Sequence, residues 1–175
     1  MDRNAIVAGQ FYHNDPIILD KQVKAFLKPH QGLDKGPTIL AMVPHAGYVY
    51  SGGVAGDVLG QAKLHQTLIL LGPNHTGRGK PFSVWPKGQW LAPGGGLEVD
   101  ESLAQALIQA DPRLAADTKA HDQEHSLEVL IPFLKALDPQ HRIVPIAVSE
   151  PSMYEIFSVA ERMARVVMEW GEPIS

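Results

Sequence analysis

The 175-residue chain contains no cysteine. This absence excludes disulfide bonds, thiolate metal ligands and cysteine nucleophiles. A metal ion bound by this chain would need histidine, aspartate, glutamate, tyrosine or water as its ligands. The eight histidines and the 19 acidic residues are therefore the places to look for a site.

The sequence also lacks an excess of basic charge and long apolar runs. Its 15 basic residues are outnumbered by the acidic ones, and the formal net charge is -4. Such a chain has no positive field for a nucleic-acid backbone, so we expect no nucleic-acid partner. No apolar run approaches the ~18 residues of a membrane span, and the first residues contain no apolar signal core. We therefore expect no membrane association and a cytoplasmic location.

The composition predicts a folded globular domain. Hydrophobic residues make up 45% of the chain and charged residues 19%, far from the composition of disordered chains. At this length, about 70% of the surface of the unfolded chain can be buried. We expect a single domain over residues 1–175.

Strand and helix patterns alternate along the chain, which predicts an α/β fold. We expect a three-layer α/β/α arrangement with a mainly parallel central sheet. Residues 77–96 are rich in glycine and proline and predict a short strand or hairpin with a loop. The sequence predicts strands at 38–43, 67–71 and 142–148, and helices at 15–28, 51–63, 101–109, 124–137 and 152–170.

Local signals set several of these boundaries. Asp15 followed by proline starts the first helix, and Pro29 and Gly32 close it. Ser152 and Glu155 form a capping-box pattern at the start of the last helix. Because this alternation leads us to expect another strand after the last helix, we expect the domain to be incomplete at its C-terminus.

Two predicted strands each lead directly into a histidine, His45 and His75. The carboxyl ends of neighbouring parallel strands meet at one edge of a sheet, where α/β proteins bind ligands. Neutral imidazole binds Zn, Cu, Fe and Ni, and Gly47 allows the backbone to approach a ligand. The alternative is that each histidine only forms hydrogen bonds with a neighbouring loop. The matched positions favour a metal site.

A second cluster, HDQEH, contains His121, Glu124 and His125. It has the H-x-x-E-H spacing of a group of zinc peptidases, in which two histidines one helical turn apart bind zinc. That site needs another carboxylate from a later helix, and Glu155, Glu161 and Glu169 are all candidates. Alternatively, His121 and Glu124 start a helix and His125 faces the first site as a hydrogen-bond donor.

Other polar residues lie next to these clusters. Tyr48 is close enough to His45 in sequence to donate a proton or orient an oxygen ligand, although such tyrosines, Tyr50 included, often only cover a pocket. Asn74 can cap a turn as readily as it can bind substrate. Arg78 is either a ligand for an anionic group or a solvated loop charge.

Five segments together resemble the Memo family, also called AmmeMemoRadiSam system protein B. They occur in the order of the family and span nearly the whole chain. The resemblance implies a fold similar to that of the class III, LigB-type extradiol dioxygenases, which use non-haem Fe(II) to open catechol rings. The segments are AGQFY at 8–12, PHAGYVYSG at 44–52, GPNH at 72–75, EHSLE at 124–128 and IVPI at 143–146.

By position, the resemblance implies that His45 and His75 bind the metal, iron or copper, with zinc as an alternative. It assigns Glu124 and His125 to the EHS-L-E motif, and we expect these two and Tyr48 to be the catalytic residues around the metal. Members of the family continue into a Ser-Ser-Asp-x-Ser-His segment, and some supply a cysteine ligand. This chain has neither, so we expect a metal site that is incomplete or completed by a partner.

Three functional hypotheses follow. The first is a metal-dependent, dioxygenase-like oxidoreductase. The second is a module that binds a metal or a peptide without catalysis; the family's system name implies a radical-SAM protein and an AMMECR1-like protein as partners, and an oligomer is possible. The third is a zinc peptidase using His121, Glu124 and His125, which the family resemblance disfavours.

Overall fold

A computed structural model describes residues 1–27 and 36–175 of the chain. Within these ranges, five helices and six strands are interspersed along the chain, as expected for an α/β domain. The helices are α1 (Pro16–Phe26), α2 (Tyr48–Gly60), α3 (Glu101–Ala110), α4 (Ile131–Leu137) and α5 (Met153–Glu169). The strands are β1 (Thr67–Pro73), β2 (Phe82–Val84), β3 (Gln89–Ala92), β4 (Gly95–Val99), β5 (Leu114–Ala116) and β6 (Arg142–Val148).

Strand β6 lies at the centre of one mixed sheet. It pairs in parallel with β1 along its whole length, in parallel with β4 and antiparallel with β2. The β3–β4 hairpin and the parallel strand β5 extend the sheet. Ile143 and Val144 in β6 point to opposite faces and are both fully buried, so both faces of the sheet are covered.

Two groups of helices cover the sheet. Helices α1, α2 and α4 contact one another, and α3 packs against α5. The predicted α/β class, with its mainly parallel sheet between helices, is confirmed. None of the described helices is both long enough and apolar enough to cross a membrane.

The predicted helix caps explain where the helices start. Asp15 accepts hydrogen bonds from the amides of Ile17 and Ile18, and Ser152 forms the expected capping box with Glu155. These side chains satisfy amides that have no partner within their helix. Helix α1 ends at Phe26, and the predicted end at Lys28 with the closing residues Pro29 and Gly32 lies outside the described residues.

The predicted strand at residues 38–43 is wrong. Ile174 and Ser175 lie along the outer edge of β1, where the Ser175 amide donates to Thr67 and its carbonyl accepts from Ile69. The Ser175 hydroxyl also donates to the Thr38 carbonyl at 2.6 Å. These two residues therefore occupy the edge of β1 at Thr67–Ile69, next to Thr38, and segment 38–43 has no strand partner there with which to share hydrogen bonds.

The predicted helix at 124–137 starts later than expected. Residues 121–123 and 126–127 form turns, Glu124 and His125 between them are irregular, the 3₁₀ turn Glu128–Leu130 follows, and α4 begins only at Ile131. Pro132 lies in the first turn of α4, where its missing N–H costs no hydrogen bond. None of the residues of the second histidine cluster is therefore in a helix.

Candidate metal centre

The structure brings together His75, Glu124 and His125. One ligand atom from each lies within 4.8 Å of the others, a spacing that a metal ion could bridge. His75 follows the end of β1, and the other two lie in the irregular stretch before α4. The Ser126 hydroxyl donates to the Pro73 carbonyl at 2.8 Å, which fastens this stretch to the end of β1.

The Glu124 carboxylate organises this group. It is 2% exposed and accepts hydrogen bonds from the amides of His75, His125 and Ser126 at 2.5, 2.8 and 2.8 Å. Burial by itself would raise the pKa of Glu124. Hydrogen bonds from His75 and Ser126 outweigh burial and hold this pKa below its ordinary value.

The same carboxylate fixes the orientation of the His75 ring. Nδ1 of His75 lies 2.9 Å from Oε1 of Glu124. Because an ionised carboxylate can only accept, Nδ1 carries the proton and Nε2 presents a free lone pair. A histidine held in this way by a carboxylate is the usual arrangement of a metal-binding histidine. The donor set therefore fits a transition metal ion.

His45 completes a cluster of three histidines. Its ring centroid lies 5.3 Å from that of His75 and 6.1 Å from that of His125, while His75 and His125 are stacked at 4.8 Å. His45 therefore lies beside His75, but the metal-ligand group found among the described residues does not include it, so its role as a metal ligand stays a prediction. His45 reaches this position from an irregular segment, since residues 38–43 form no strand.

Two of these histidines favour the neutral form. Burial lowers the pKa of His45, and the neighbouring His75 and His125 lower it further. Burial also lowers the pKa of His125, and the opposing effect of Glu124 only partly offsets this. Neutral imidazole is the form that binds metal ions and accepts protons.

A half-open pocket lies beside His45 and His125. The Phe11 ring packs against the His125 ring with centroids 4.6 Å apart, and the exposed ring of Tyr50 also lines the pocket. Sequence reasoning did not assign Phe11 to the site, although the residue is part of the AGQFY segment. The remaining lining residues are Pro44, Ala46 and Gly47.

Tyr48 does not have the role predicted for it. Its hydroxyl is buried and donates to the Val129 carbonyl at 2.8 Å, and its ring packs against Phe133 and Tyr12. Burial raises the pKa of Tyr48 well above its ordinary value. Tyr48 therefore packs in the core, and its hydroxyl is not available to donate a proton at the metal centre.

The peptidase cluster is not assembled. His121 is fully buried, between Trp85 and Trp90, and its Nε2 lies 2.9 Å from the Ser83 carbonyl. It is absent from the metal-ligand group found among the described residues. Because residues 121–127 form no helix, His121 and His125 do not share a helix face as the zinc peptidase pattern requires.

The carboxylates considered as further zinc ligands have other partners. Glu155 caps α5, and Glu161 forms an ion pair with Arg165 one helical turn away. No described metal-ligand group includes Glu169. The α5 helix therefore contributes no carboxylate to the histidine cluster.

Asn74 shapes the loop next to His75. Its side-chain oxygen accepts from the amide and the hydroxyl of Thr76 at 3.0 and 2.7 Å, and its amide nitrogen donates to the Arg78 carbonyl at 2.6 Å. The interpretation of Asn74 as a turn-forming residue is confirmed. The Arg78 side chain is exposed, in agreement with a solvated loop charge.

Comparison with known proteins agrees with the resemblance noted from the sequence. A family model described as Memo-like protein matches residues 3–174. A MEMO1 family protein of Sulfurisphaera tokodaii is 38% identical over 98% of this chain and 66% of its own length. Corresponding proteins of Sulfolobus acidocaldarius and Methanobrevibacter smithii are 40% and 35% identical over 94% and 99% of the chain. The chain spans 62 to 66% of the length of these three relatives. It therefore belongs to the Memo-like protein family.

Proposed function

We propose that this protein binds a redox-active metal ion, iron or copper, through His45 and His75. The observation that supports this proposal is the hydrogen bond from His75 Nδ1 to the buried Glu124 carboxylate, which leaves Nε2 free. Both ligands are imidazoles, which suit iron, copper and zinc alike. Glu124 acts by orienting His75 and does not bind the metal, since its two oxygens already accept four hydrogen bonds.

We further propose that the centre acts as a dioxygenase-like oxidoreductase on a small diol. When bound, the metal would supply Lewis acidity and redox chemistry at the mouth of the pocket. The Phe11 and Tyr50 rings give the pocket apolar walls that suit a planar ring. Burial favours the neutral form of His125, and its ring lies against both His75 and Phe11, so it is placed to take the proton of a substrate hydroxyl.

Metal titration under anaerobic conditions tests the first step. We expect the unmodified chain to bind one Fe(II) or Cu ion, and His45→Ala and His75→Ala each to lose at least about tenfold in affinity. His125→Ala should keep most of the affinity and lose turnover of a catechol. An unmodified chain that binds none of these metals would contradict the proposal, as would a His75→Ala variant that binds as tightly as the unmodified chain.

A second candidate function is a module that binds a metal or a peptide without catalysis. Apolar side chains near the centre are exposed, among them Leu40, Met42 and Val49, and such surfaces often bind other proteins. Metal binding with no turnover of any diol would favour this function. Co-purification tests the proposed partners, a radical-SAM protein and an AMMECR1-like protein.

A further inference from the structure

Glu128 begins the 3₁₀ turn three residues after His125 and is fully buried. Unlike Glu124, it contacts none of the three histidines directly through a hydrogen bond among the described residues. All of its partners belong to one stretch, residues 3–12, which we name the N-terminal segment. The donors are Arg3 Nη1 at 2.7 Å, the amides of Ile6 and Val7 at 3.0 Å each and the Tyr12 hydroxyl at 2.7 Å.

Arg3 extends this connection to the stretch that carries the site. Its Nε donates to the His121 carbonyl at 3.0 Å, and its Nη2 donates to the Glu124 carbonyl at 2.5 Å. The guanidinium also lies over the Trp90 ring, 4.4 Å from its centroid. One buried ion pair, Arg3 with Glu128, thus holds both ends of the stretch that contains Glu124 and His125.

The N-terminal segment in turn contacts His125 and the start of α2, which follows His45. The Phe11 ring packs against His125, and the Phe11 carbonyl accepts the amide of Tyr48 at 2.7 Å. Tyr48 begins α2, three residues after His45. The segment therefore lies between His125 and the backbone that carries His45. His75 has a separate support, the Glu124 carboxylate.

We propose that Glu128 is a positioning residue that sets His45 relative to His125 through the N-terminal segment; this inference rests on the proposed metal site. A buried ion pair is a costly way to stabilise a core, and apolar residues of similar volume often stabilise it as well. The Glu128 carboxylate instead fixes the position of the N-terminal segment, because four donors of that segment bind its two oxygens. Phe11 then positions His125 through its ring and His45 through its hydrogen bond with the Tyr48 amide.

Metal binding and histidine NMR of the metal-free protein test this role. Glu128→Gln should lower Co(II) affinity about tenfold, the effect typical of a lost residue that supports ligands. Tyr12→Phe removes a single hydrogen bond and should lower the affinity about threefold. In both metal-free variants the ring signals of His45 and His125 should shift more than those of His75, because the His75 ring is stacked on His125 but donates directly to the Glu124 carboxylate.

Asp111→Asn is the matched control, because Asp111 is also buried and forms an ion pair with Arg113. It should lower the melting temperature without changing metal affinity or any of the three histidine signals. A Glu128→Gln variant that behaves like this control would overturn the inference, as would a shift of His75 equal to the others. Tyr12→Phe keeps the test decisive if Glu128→Gln fails to fold.

The NMR arm also separates the two proposals. If the unmodified chain binds no metal, the proposed function fails, and the histidine signals of the metal-free variants still decide whether Glu128 positions His45 and His125. If the unmodified chain binds metal and the variants bind it equally well with unchanged signals, only the positioning inference fails.

Discussion

The two sides of the candidate metal centre are built in different ways. On one side, which we call the buried side after its carboxylates, Glu124 accepts hydrogen bonds from His75, itself 46% exposed, and from the amide of His125, and Glu128 forms a buried ion pair with Arg3. On the open side, His45 follows a segment in which Leu40 is 84% and Met42 90% exposed. The His75 ring is thus held by a buried carboxylate, whereas His45 is held by contacts of an irregular segment. We expect substitutions on the buried side to have the larger effects.

Replacing Glu124 should have the largest effect. Glu124→Ala leaves the amides of His75, His125 and Ser126 without their acceptor, which should lower the free energy of unfolding by about 3 kcal/mol. The His75 ring also loses its orienting partner, so metal affinity should fall about 100-fold. Urea denaturation and metal titration measure the two effects. A Glu124→Ala variant with unchanged metal affinity would show that the carboxylate does not organise the site.

The buried side should also make stability depend on pH. Burial lowers the pKa of His121 from 6.5 to about 4. Between these two values the unfolded chain binds a proton at His121 that the folded chain does not. The contribution of neutral His121 to the free energy of unfolding is therefore complete above about pH 6.5 and is lost as the pH falls toward 4. At about 1.4 kcal/mol per pH unit, the loss approaches about 3 kcal/mol.

Urea denaturation between pH 7 and pH 4 checks this prediction. His121→Gln should be less stable than the unmodified chain at pH 7, and its stability should change less over the same range. The pKa values of His45 and His125 are also lowered, but both residues are present in both proteins. The difference between the two stability profiles therefore gives the contribution of His121 alone. Parallel profiles would contradict the prediction.

A comparison of two histidine variants sharpens the contrast between the sides. His75→Ala removes a hydrogen bond to a buried carboxylate and should cost about 1 kcal/mol of folding stability. His45→Ala should cost less than about 0.5 kcal/mol, because His45 donates to no buried carboxylate among the described residues. Thermal unfolding of the metal-free proteins measures this difference. Equal losses would mean that the open side is as firmly held as the buried one.

The smallest effect is expected at the exposed apolar segment. Leu40→Lys and Met42→Lys place a charge where the side chain already faces solvent, so the free energy of unfolding should change by less than about 0.5 kcal/mol. Thermal unfolding checks this, and Val144→Lys, at a fully buried position of β6, serves as the contrasting control. A large loss in the Leu40 variant would show that this segment packs more closely than its exposure indicates.

Much of the fold could be predicted because its signals are local. The caps at Asp15, Asp100 and Ser152 each satisfy amides within three residues, so a short window of sequence contains both partners. The apolar run of β6 is likewise visible as a buried strand. Segment 38–43 has the same apolar character and still forms no strand. This could not be predicted, because Ser175, which lies against Thr38 and Thr67, is more than 100 positions away along the chain.

The candidate site could be predicted only in part. His45 and His75 could be paired because each follows an apolar run, and the carboxyl ends of such runs converge in an α/β sheet. The direction of the Tyr48 hydroxyl could not be predicted, since its acceptor is the carbonyl of Val129. The ion pair of Arg3 with Glu128 could not be predicted either, because it joins positions 125 residues apart.

The sequence by itself determined the α/β class, the helix caps, the family and the residue types available for metal binding. These depend on short-range periodicity, on capping groups a few residues apart and on the absence of cysteine. Only the tertiary structure decided which histidines come together and which acidic residue serves them. A carboxylate such as Glu124 takes its role from the donors that surround it, and its partner His75 lies 49 positions away along the chain.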